Sequence, residues 1–381
     1  MKFSNHQSAH LAYCTNIHPA ESWEETWQVL KNHTLKVRDR VAKPAEPYAI
    51  GLRLSALAAT ELLENDNLQI FRDWLEQENC YVFTINGFPY GSFHGTRVKE
   101  KVYQPDWTSG ERLSYTNKLF TIIAQLVPEG VEGSVSTLPG SFKEFHADEA
   151  AIFKNLEACA KHIETLCREY NRDLHLGLEP EPLGHFENTA ETLAFFERFL
   201  GSVSDPGLIK RRIGINYDTC HFALEFDDCH ASLDSLRNAG LRISKVHLSS
   251  ALEFNPSSEA DLDAIRAFDE PTYLHQVIVS DANGNLTRFK DLPDFLQSAI
   301  WNLQSAAKGR IHFHIPLYSD PQAPLESTRS HATEAIQYLR ANPGFCSHFE
   351  IETYTWGVLP GELQIPVEDQ IAREYEWVIS Q

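Results

Sequence analysis

Short runs with the composition of buried β-strands alternate along the whole chain with runs that carry apolar residues at helical spacing. This alternation is typical of a parallel sheet covered by helices. The number of units favours a closed (β/α)8 TIM barrel over an open sheet, and barrels of 381 residues form one domain. We therefore predict a single domain over residues 1–381. The candidate strands are His10–Ile17, Tyr48–Ser55, Cys80–Phe88, Glu132–Pro139, Leu174–Glu181, Arg212–Asp218, Ile243–Ser249, Arg310–Tyr318 and Ser347–Tyr354.

These nine candidates are one too many for a barrel, so one of them is predicted to lie outside it. The alternation of strand and helix patterns is also interrupted at Pro271–Lys290, where Asp281–Asn285 separates two β-rich runs. Gly284 can supply the positive φ of a tight turn, so we predict a hairpin near 271–290, inserted after the Ile243–Ser249 strand. The predicted helices are Trp23–Val41, Ala56–Glu76, Arg112–Leu126, Glu149–Tyr170, Thr189–Phe199, Leu292–Ala306, His331–Leu339 and Pro366–Ile379.

The formal net charge of -20 argues against a nucleic-acid partner or an anionic membrane surface, because such binders present a basic face. No apolar run reaches the ~18 residues that would span a bilayer, and the first residues lack the apolar core of a signal peptide. The seven cysteines are an odd number without a Cys-x-x-Cys pair, which is typical of reduced thiols. We expect a cytoplasmic protein without a transmembrane segment.

Charged residues stand at the C-terminal ends of the later strands, where barrels of this type place their functional groups. Glu179 and Glu181 end the Leu174–Glu181 strand, and strand alternation places both on the face opposite the leucines. A carboxylate buried in the lumen costs several kcal/mol unless a cation or a donor compensates it. The alternative is a glutamate at the rim of the barrel, in contact with water.

The next two strands end in further residues that bind metals in proteins. Asp218 ends one strand and His221 follows three residues later, a common spacing for two ligands or for a ligand and an acid–base partner. Asp218 could instead cap a helix. His247 points into the lumen if Val246 and Leu248 face the helices, although a lone histidine there is often satisfied by hydrogen bonds alone.

Two later strands add histidines and glutamates. His312 and His314 share one face of their predicted strand, and Glu350 and Glu352 share one face of the next. Together the strand ends offer Glu, Asp, His, His and Glu, a costly cluster of charge without a cation. This mixture of oxygen and imidazole ligands suits Zn²⁺, Mn²⁺, Fe²⁺ or Co²⁺ better than Ca²⁺. The spacing leaves open whether His314 or Glu352 is the late ligand.

Polar residues at the ends of the earlier strands are candidates for binding a substrate. Their side chains suit hydrogen bonds to a polyhydroxylated or phosphorylated small molecule, and Arg53 could hold an anion. The alternative is that they are ordinary loop residues. Together with Glu181, the candidates are Asn16, His18, Arg53 and Asn86.

The order of the late strand ends resembles the metal site of the xylose isomerase-like barrel superfamily, which includes sugar epimerases and apurinic endonucleases. The resemblance implies four ligands for a divalent metal, namely Glu179, Asp218, His247 and Glu352. It also implies that His221 is a second-metal ligand or a substrate contact. The chain departs from the superfamily in the extra His312-Phe-His314 strand, which keeps His314 in question as a ligand.

Five further segments carry a narrower resemblance: Tyr13–Pro19, Phe83–Tyr90, Ser136–Phe142, Leu178–Pro182 and Glu352–Trp356. They are similar to the EboE-type metabolite traffic proteins and extend over most of the chain. This resemblance implies a role beside a membrane prenyltransferase, in handling a precursor destined for transport. It does not identify a reaction.

Three functions are compatible with these residues. The first is a metal-dependent isomerase or epimerase, in which the metal polarises a hydroxy-carbonyl substrate and two catalytic carboxylates, Glu179 and Glu352, move a proton. The second is a metal-dependent phosphoester hydrolase, which the extra histidines favour and which the -20 charge disfavours for DNA. The third is a non-catalytic carrier of a metabolite, since ligands mark a site and not a turnover.

Overall fold

Two sheets organise the part of the chain that the computed structural model describes, which is residues 1–3, 9–43, 45–94, 97–298, 306–361 and 363–381. The strands are β1 (His10–Tyr13), β2 (Tyr48–Arg53), β3 (Cys80–Asn86), β4 (Gly133–Thr137), β5 (Leu174–Leu178), β6 (Ile213–Asp218), β7 (Ile243–Leu248), β8 (Leu252–Phe254), β9 (Val277–Asp281), β10 (Leu286–Phe289), β11 (Ala306–Ile311), β12 (Glu326–Ser327) and β13 (His348–Ile351). Eight strands are parallel, in the order β1-β13-β7-β6-β5-β4-β3-β2. A parallel bridge between Cys14 and Gly51 joins the two ends of this sheet, which makes it a nearly closed barrel.

The barrel confirms the predicted fold class and identifies the candidate strand that lies outside it. The prediction of a strand at Arg310–Tyr318 is wrong in position, because the observed strand is β11. It pairs antiparallel with β8 and β9 in the second sheet, not with the barrel. The chain leaves the strand after Ile311, so His312 and His314 lie on an irregular segment.

Helices pack around the outside of the barrel. Their bounds are α1 (Trp23–Val29), α2 (Leu35–Val41), α3 (Ala56–Leu62), α4 (Asn67–Gln77), α5 (Gly110–Leu126), α6 (Glu149–Tyr170), α7 (Thr189–Ser202), α8 (Pro206–Arg212), α9 (Thr219–Leu224), α10 (Cys229–Asn238), α11 (Glu259–Ile265), α12 (Leu292–Gln297), α13 (Arg329–Ala341) and α14 (Val367–Ser380). Among the described residues, no helix is long and apolar enough to cross a membrane.

Several predicted helices differ from the observed ones. The run Trp23–Val41 contains α1 and α2 with a π-helical turn at Leu30–Thr34 between them. The run Ala56–Glu76 is divided into α3 and α4. The run Leu292–Ala306 begins as α12, but residues 299–305 lie outside the described part of the chain. The helices α8 to α11 were not predicted; α8, α9 and α11 have only six or seven residues, too few to show a period, whereas α10 buries Cys229, Leu233 and Leu236 at helical spacing.

The barrel strands are buried on both faces, which explains their composition. All six residues of β2 and all six of β7 are buried. One face of each strand packs against helices, and the other face fills the lumen. In β7 this places Val246 and Leu248 on one side and Lys245 and His247 on the other, as strand alternation requires.

The chain between β7 and α13 forms an insertion with its own sheet. The predicted hairpin is confirmed as β9 and β10, and Gly284 has a φ of 83° in its turn. These two strands join three others in the antiparallel order β10-β9-β11-β8-β12. The insertion is larger than a hairpin because its strands enclose an apolar core, which includes Leu252, Phe254, Ile265, Phe268, Val277, Phe295, Ile311 and Phe313.

Glu374 of α14 is a carboxyl group buried under the last helix. Its Oε1 accepts hydrogen bonds from the Leu317 amide at 3.2 Å and from the Thr353 hydroxyl at 2.6 Å. Burial raises the pKa of Glu374 to about 7. Because this value lies above that of an unfolded glutamate, the group costs the protein stability as the pH rises from about 4.5 through 7.

We predict that Glu374→Gln raises the stability of the protein at pH 8 and leaves it nearly unchanged at pH 5. Glutamine keeps an acceptor oxygen for Leu317 and Thr353 and brings no charge into the core. The expected gain at pH 8 is on the order of 1–3 kcal/mol, measured by thermal unfolding at both pH values. Glu376→Gln, an exposed change on the same helix, is the control. An equal shift at both pH values would contradict the prediction.

Candidate metal centre at the barrel mouth

Four side chains from four strands converge in the lumen at the C-terminal end of the barrel. Glu179 follows β5, Asp218 ends β6, His247 lies on β7 and Glu352 follows β13. Each offers a ligand atom within 4.8 Å of the others, and all four residues are buried. The Nδ1 atom of His247 is 3.1 Å from an oxygen of Glu179, and it is 3.6 Å from oxygens of Asp218 and Glu352. This is the spatial arrangement of a metal-binding cluster.

The ring of His247 is oriented from inside the barrel. Its Nε2 lies 2.9 Å from Oε2 of Glu350, which also accepts a hydrogen bond from Nζ of Lys245 at 2.6 Å. All three side chains are fully buried. When Nε2–H is donated to Glu350, Nδ1 is left with its lone pair towards the cluster. A carboxylate behind the imidazole commonly orients metal-binding histidines in this way.

Asp218 uses its two oxygens for different purposes. Oδ1 accepts hydrogen bonds from the amides of Cys220 at 2.7 Å and His221 at 3.2 Å, and from the Ser249 hydroxyl at 2.5 Å. These bonds cap α9. Oδ2 is buried, and no donor among the described residues forms a hydrogen bond with it. Oε2 of Glu179 is likewise buried and accepts no hydrogen bond from the described residues. The two interpretations of Asp218, a helix cap and a ligand, are therefore compatible.

Glu352 is held by two amides on the side away from His247. Its Oε1 accepts hydrogen bonds from the Nδ2 atoms of Asn16 at 2.8 Å and Asn86 at 3.4 Å. Oε2 then faces the cluster. Burial raises the pKa of Glu352 to about 8; the charge of His247 opposes this shift, and Glu179 reinforces it. A carboxyl group with such a pKa can hold a proton at neutral pH.

The charges in the lumen do not balance without a cation. Lys245 and Glu350 form a pair, so the buried carboxyl groups of Glu179, Asp218 and Glu352 surround the single imidazole of His247. Burial lowers the pKa of His247, but Glu352 and Glu179 outweigh it and raise the pKa well above its usual value. Three carboxylates and one imidazole, with two ligand-type oxygens lacking donors, fit a divalent cation such as Zn²⁺, Mn²⁺, Fe²⁺ or Co²⁺.

Three more histidines, His221, His312 and His314, border this cluster. Each donates its Nδ1–H to an oxygen. His221 donates to the carbonyl oxygen of Pro180 at 2.9 Å and His314 to that of Glu352 at 2.9 Å. His312 donates to Oε1 of Gln276 at 2.7 Å. The basic nitrogen is then Nε2, and in His312 and His314 it is buried without a hydrogen-bond partner among the described residues. His221 and His314 form a second group of ligand atoms with Asp218.

A cavity opens above the cluster. Its lining includes the polar residues Asn16, Asn86, Glu179, Glu181 and Glu352. Apolar and aromatic side chains also line it, namely Phe88, Phe93, Tyr103, Tyr273, Leu274 and Tyr354. The insertion supplies part of this wall. The structure thus brings three of the predicted substrate-binding residues, Asn16, Asn86 and Glu181, to one cavity.

The other two predicted substrate-binding residues, Arg53 and His18, do not line this cavity. The guanidinium of Arg53 is buried and donates to the carbonyl oxygens of Ala20 and of Gly91, the latter at 2.6 Å. Nε2 of His18 lies 3.1 Å from the hydroxyl of Tyr13. Both side chains stabilise the loops beside β1 and β2, so neither is placed to bind an anion in the cavity.

Sequence reasoning did not assign a role to Lys245 or Glu350. The signal was present, because Lys245 precedes His247 by two residues and Glu350 precedes Glu352 by two. Strand alternation therefore points all four side chains into the same lumen. What the sequence does not give is the register of β13 on β7, which places Glu350 opposite His247.

No known family profile matches this chain, and no curated protein matches it. Solved structures do match over nearly its whole length. One is the probable 3-DHS dehydratase AsbF from Bacillus anthracis, with 13% identity, coverage of 97% of this chain and 98% of that chain, and a TM-score of 0.48. Another is the zinc-bound IOLI protein, with 13% identity, coverage of 97% of this chain and 98% of that chain, and a TM-score of 0.49. A D-psicose 3-epimerase in the presence of D-fructose also matches, with 12% identity, coverage of 97% of this chain and 96% of that chain, and a TM-score of 0.47. These values are too low to transfer an activity or a metal to this chain.

We predict that the double variant Glu179→Gln, Asp218→Asn loses one equivalent of divalent metal per chain. Amide oxygens are weaker ligands than carboxylates, and the change removes two of the charges that a cation would compensate. Elemental analysis after dialysis against Zn²⁺, Mn²⁺, Fe²⁺ or Co²⁺ measures the loss. Glu129→Gln, Asp263→Asn makes the same chemical changes at exposed positions and is the control. Equal metal contents in both double variants would refute the site.

Proposed function

We propose that this chain is a metal-dependent isomerase or epimerase of the xylose isomerase-like type that acts on a small hydroxy-carbonyl compound. One observation carries the proposal: two buried carboxyl groups, those of Glu179 and Glu352, lie against the same nitrogen of His247, at 3.1 and 3.6 Å, at the end of a cavity. Moving a hydrogen between neighbouring carbons, or inverting one carbon, needs a base and an acid beside a polarised carbonyl.

We propose Glu179, Asp218, His247 and Glu352 as the ligands of one divalent cation, which would polarise the carbonyl and hydroxyl oxygens of a substrate. Glu352 is preferred to His314 as the late ligand because its ligand atom groups with those of the other three residues. His314 groups instead with Asp218 and His221.

Glu179 and Glu352 are the proposed catalytic residues. Oε2 of Glu179 is buried and has no donor among the described residues, so it is available to take a proton from carbon. Glu352, the second carboxyl group beside the same nitrogen of His247, would return one. Asn16 and Asn86 hold Glu352 in place through its other oxygen, which fixes the direction of its approach.

The lining of the cavity indicates the class of substrate. Polar groups cluster beside the carboxylates, where Asn86 and Glu181 can bind hydroxyl groups. The aromatic rings of Phe88, Tyr103 and Tyr273 line the same cavity. We therefore expect a substrate with a hydroxy-carbonyl head and a ring or other apolar body that contacts these rings.

A metal-dependent phosphoester hydrolase is the second candidate function. It is favoured by His221, His312 and His314, whose Nε2 atoms could bind a second cation next to Asp218. Two cations held a few ångströms apart commonly clamp the attacking and leaving oxygens of a phosphoester. The aromatic wall of the cavity is less suited to an anion, and Arg53 does not reach it.

The narrower role of an EboE-type metabolite traffic protein remains a proposal that rests on the five sequence segments. In that role the cavity would bind a cytoplasmic metabolite on its way to a membrane prenyltransferase, and no proton transfer would be needed. Complementation of a deletion strain by Glu179→Gln, Asp218→Asn protein would favour this carrier function over catalysis.

We predict that the metal-loaded protein exchanges the hydrogen next to the carbonyl of its substrate with D₂O, tested on a panel of sugars and keto acids by NMR. Glu352→Gln should lower the exchange rate by about 100-fold or more, since glutamine cannot carry the proton. Because Glu352 is also a proposed ligand, rates are compared at equal metal content, with Glu129→Gln as the control. Exchange by no member of the panel would contradict the proposal.

We also predict that the metal-loaded protein does not cleave a phosphodiester such as bis-p-nitrophenyl phosphate. His312→Gln should leave hydrogen exchange within about threefold of wild type, because His312 belongs to the adjacent histidine group and not to the proposed ligand set. If phosphodiester cleavage is found and His312→Gln abolishes it, the hydrolase replaces the isomerase as the function of this site.

A further inference from the structure

A second cluster of metal-ligand side chains lies at the opposite, N-terminal end of the barrel. His175 is the second residue of β5, His348 is the first residue of β13, and Glu132 directly precedes β4. The three side chains bring one ligand atom each within 4.8 Å of the others. Four residues of β-type backbone separate His175 from Glu179, about 13 Å at the usual rise of a strand. The cluster is therefore separate from the centre at the barrel mouth.

The ring of His348 presents one nitrogen to this cluster. The hydroxyl of Ser134 donates its hydrogen to Thr84 at 2.7 Å, so its oxygen accepts from Nδ1 of His348 at 2.8 Å. Nδ1 therefore carries the ring hydrogen and Nε2 carries the lone pair. This Nε2 is fully buried, and the described residues provide no hydrogen-bond partner for it. Fixing one ring nitrogen so that the other can bind a metal is a common arrangement around protein metal sites.

His175 is the least satisfied side chain of the cluster. It is 1% exposed, and neither of its ring nitrogens has a hydrogen-bond partner among the described residues. Its Nε2 is 3.7 Å from Oε2 of Glu132, too far for a hydrogen bond and suited to an ion between them. Its ring centre is 5.4 Å from that of His348. An apolar side chain would fill this position at a lower cost, so the imidazole needs another explanation.

Glu132 brings a negative charge from the edge of the barrel. Its Oε1 pairs with Arg242 at 3.1 Å, and its Oε2 accepts a hydrogen bond from the Ser347 hydroxyl at 3.0 Å. These contacts hold Oε2 towards His175. The side chain is 42% exposed, so water and dissolved ions reach the cluster from this side.

We propose that Glu132, His175 and His348 bind a structural divalent cation of the Zn²⁺ type at the floor of the barrel, with water in the remaining position. Two imidazoles and one carboxylate are typical zinc ligands. The ion would link β5 to β13, which are not neighbours in the sheet, and tie both to the segment before β4. It would bind one buried nitrogen of each histidine, and it does not depend on the proposed function of the upper site.

The test is the zinc content of single variants. Protein stripped with a chelator is dialysed against zinc in the presence of a weak competitor, and bound zinc is counted by elemental analysis. We expect Glu132→Gln, His175→Gln and His348→Gln each to hold one zinc fewer per chain than wild type. The control His230→Gln removes an exposed histidine and should change nothing. Zinc should also raise the thermal midpoint of each variant by less than that of wild type.

The variants also separate this ion from the one at the barrel mouth. Glu179→Gln, Asp218→Asn should keep the floor zinc, and His348→Gln should keep the upper metal. If the two buried variants unfold, the partly exposed Glu132→Gln decides the question. Zinc content in Glu132→Gln equal to that of wild type, with an unchanged response of its thermal midpoint to zinc, overturns the proposal.

Discussion

The charged side chains in the lumen of the barrel are buried, so each of them needs a partner there. Lys245 neutralises Glu350, Glu350 orients His247, and His247 faces the carboxylates at the mouth. Gly51 makes this possible, because a Cβ atom at that position would lie 2.1 Å from an oxygen of Glu350. The orientation of His247 in the candidate metal centre thus depends on the Lys245–Glu350 ion pair, although neither residue of that pair lines the cavity.

Much of this arrangement could be predicted from the sequence. Strands buried on both faces have a recognisable composition, and their alternation points Asp218 and His247 into the lumen. The prediction of a strand at Arg310–Tyr318 was wrong because His312-Phe-His314 alternates polar and apolar residues without being a strand. Alternation of polar and apolar residues indicates an extended chain. It does not indicate whether that chain pairs with a sheet, or with which one.

Contacts between distant parts of the chain could not be predicted. The partnership of Glu350 with His247 depends on the register of two strands about a hundred residues apart in sequence. Arg53 stands at a strand end, yet its guanidinium turns to carbonyl oxygens of neighbouring loops, since an unpaired charge buried beside them would be costly. The two histidines at the barrel floor could not be predicted as a pair either, because their strands, β5 and β13, are far apart in sequence and are not neighbours in the sheet.

The insertion after β7 has an apolar core separate from that of the barrel, and it supplies Tyr273, Leu274 and Gln276 to the cavity. The ligand cluster belongs to the barrel, whereas Tyr273 and Leu274 of the cavity wall belong to the insertion. Changes within the insertion can therefore reshape the wall without disturbing Lys245 and Glu350. This division marks the insertion as the segment to exchange when the shape of the cavity is to be changed and the ligand cluster kept.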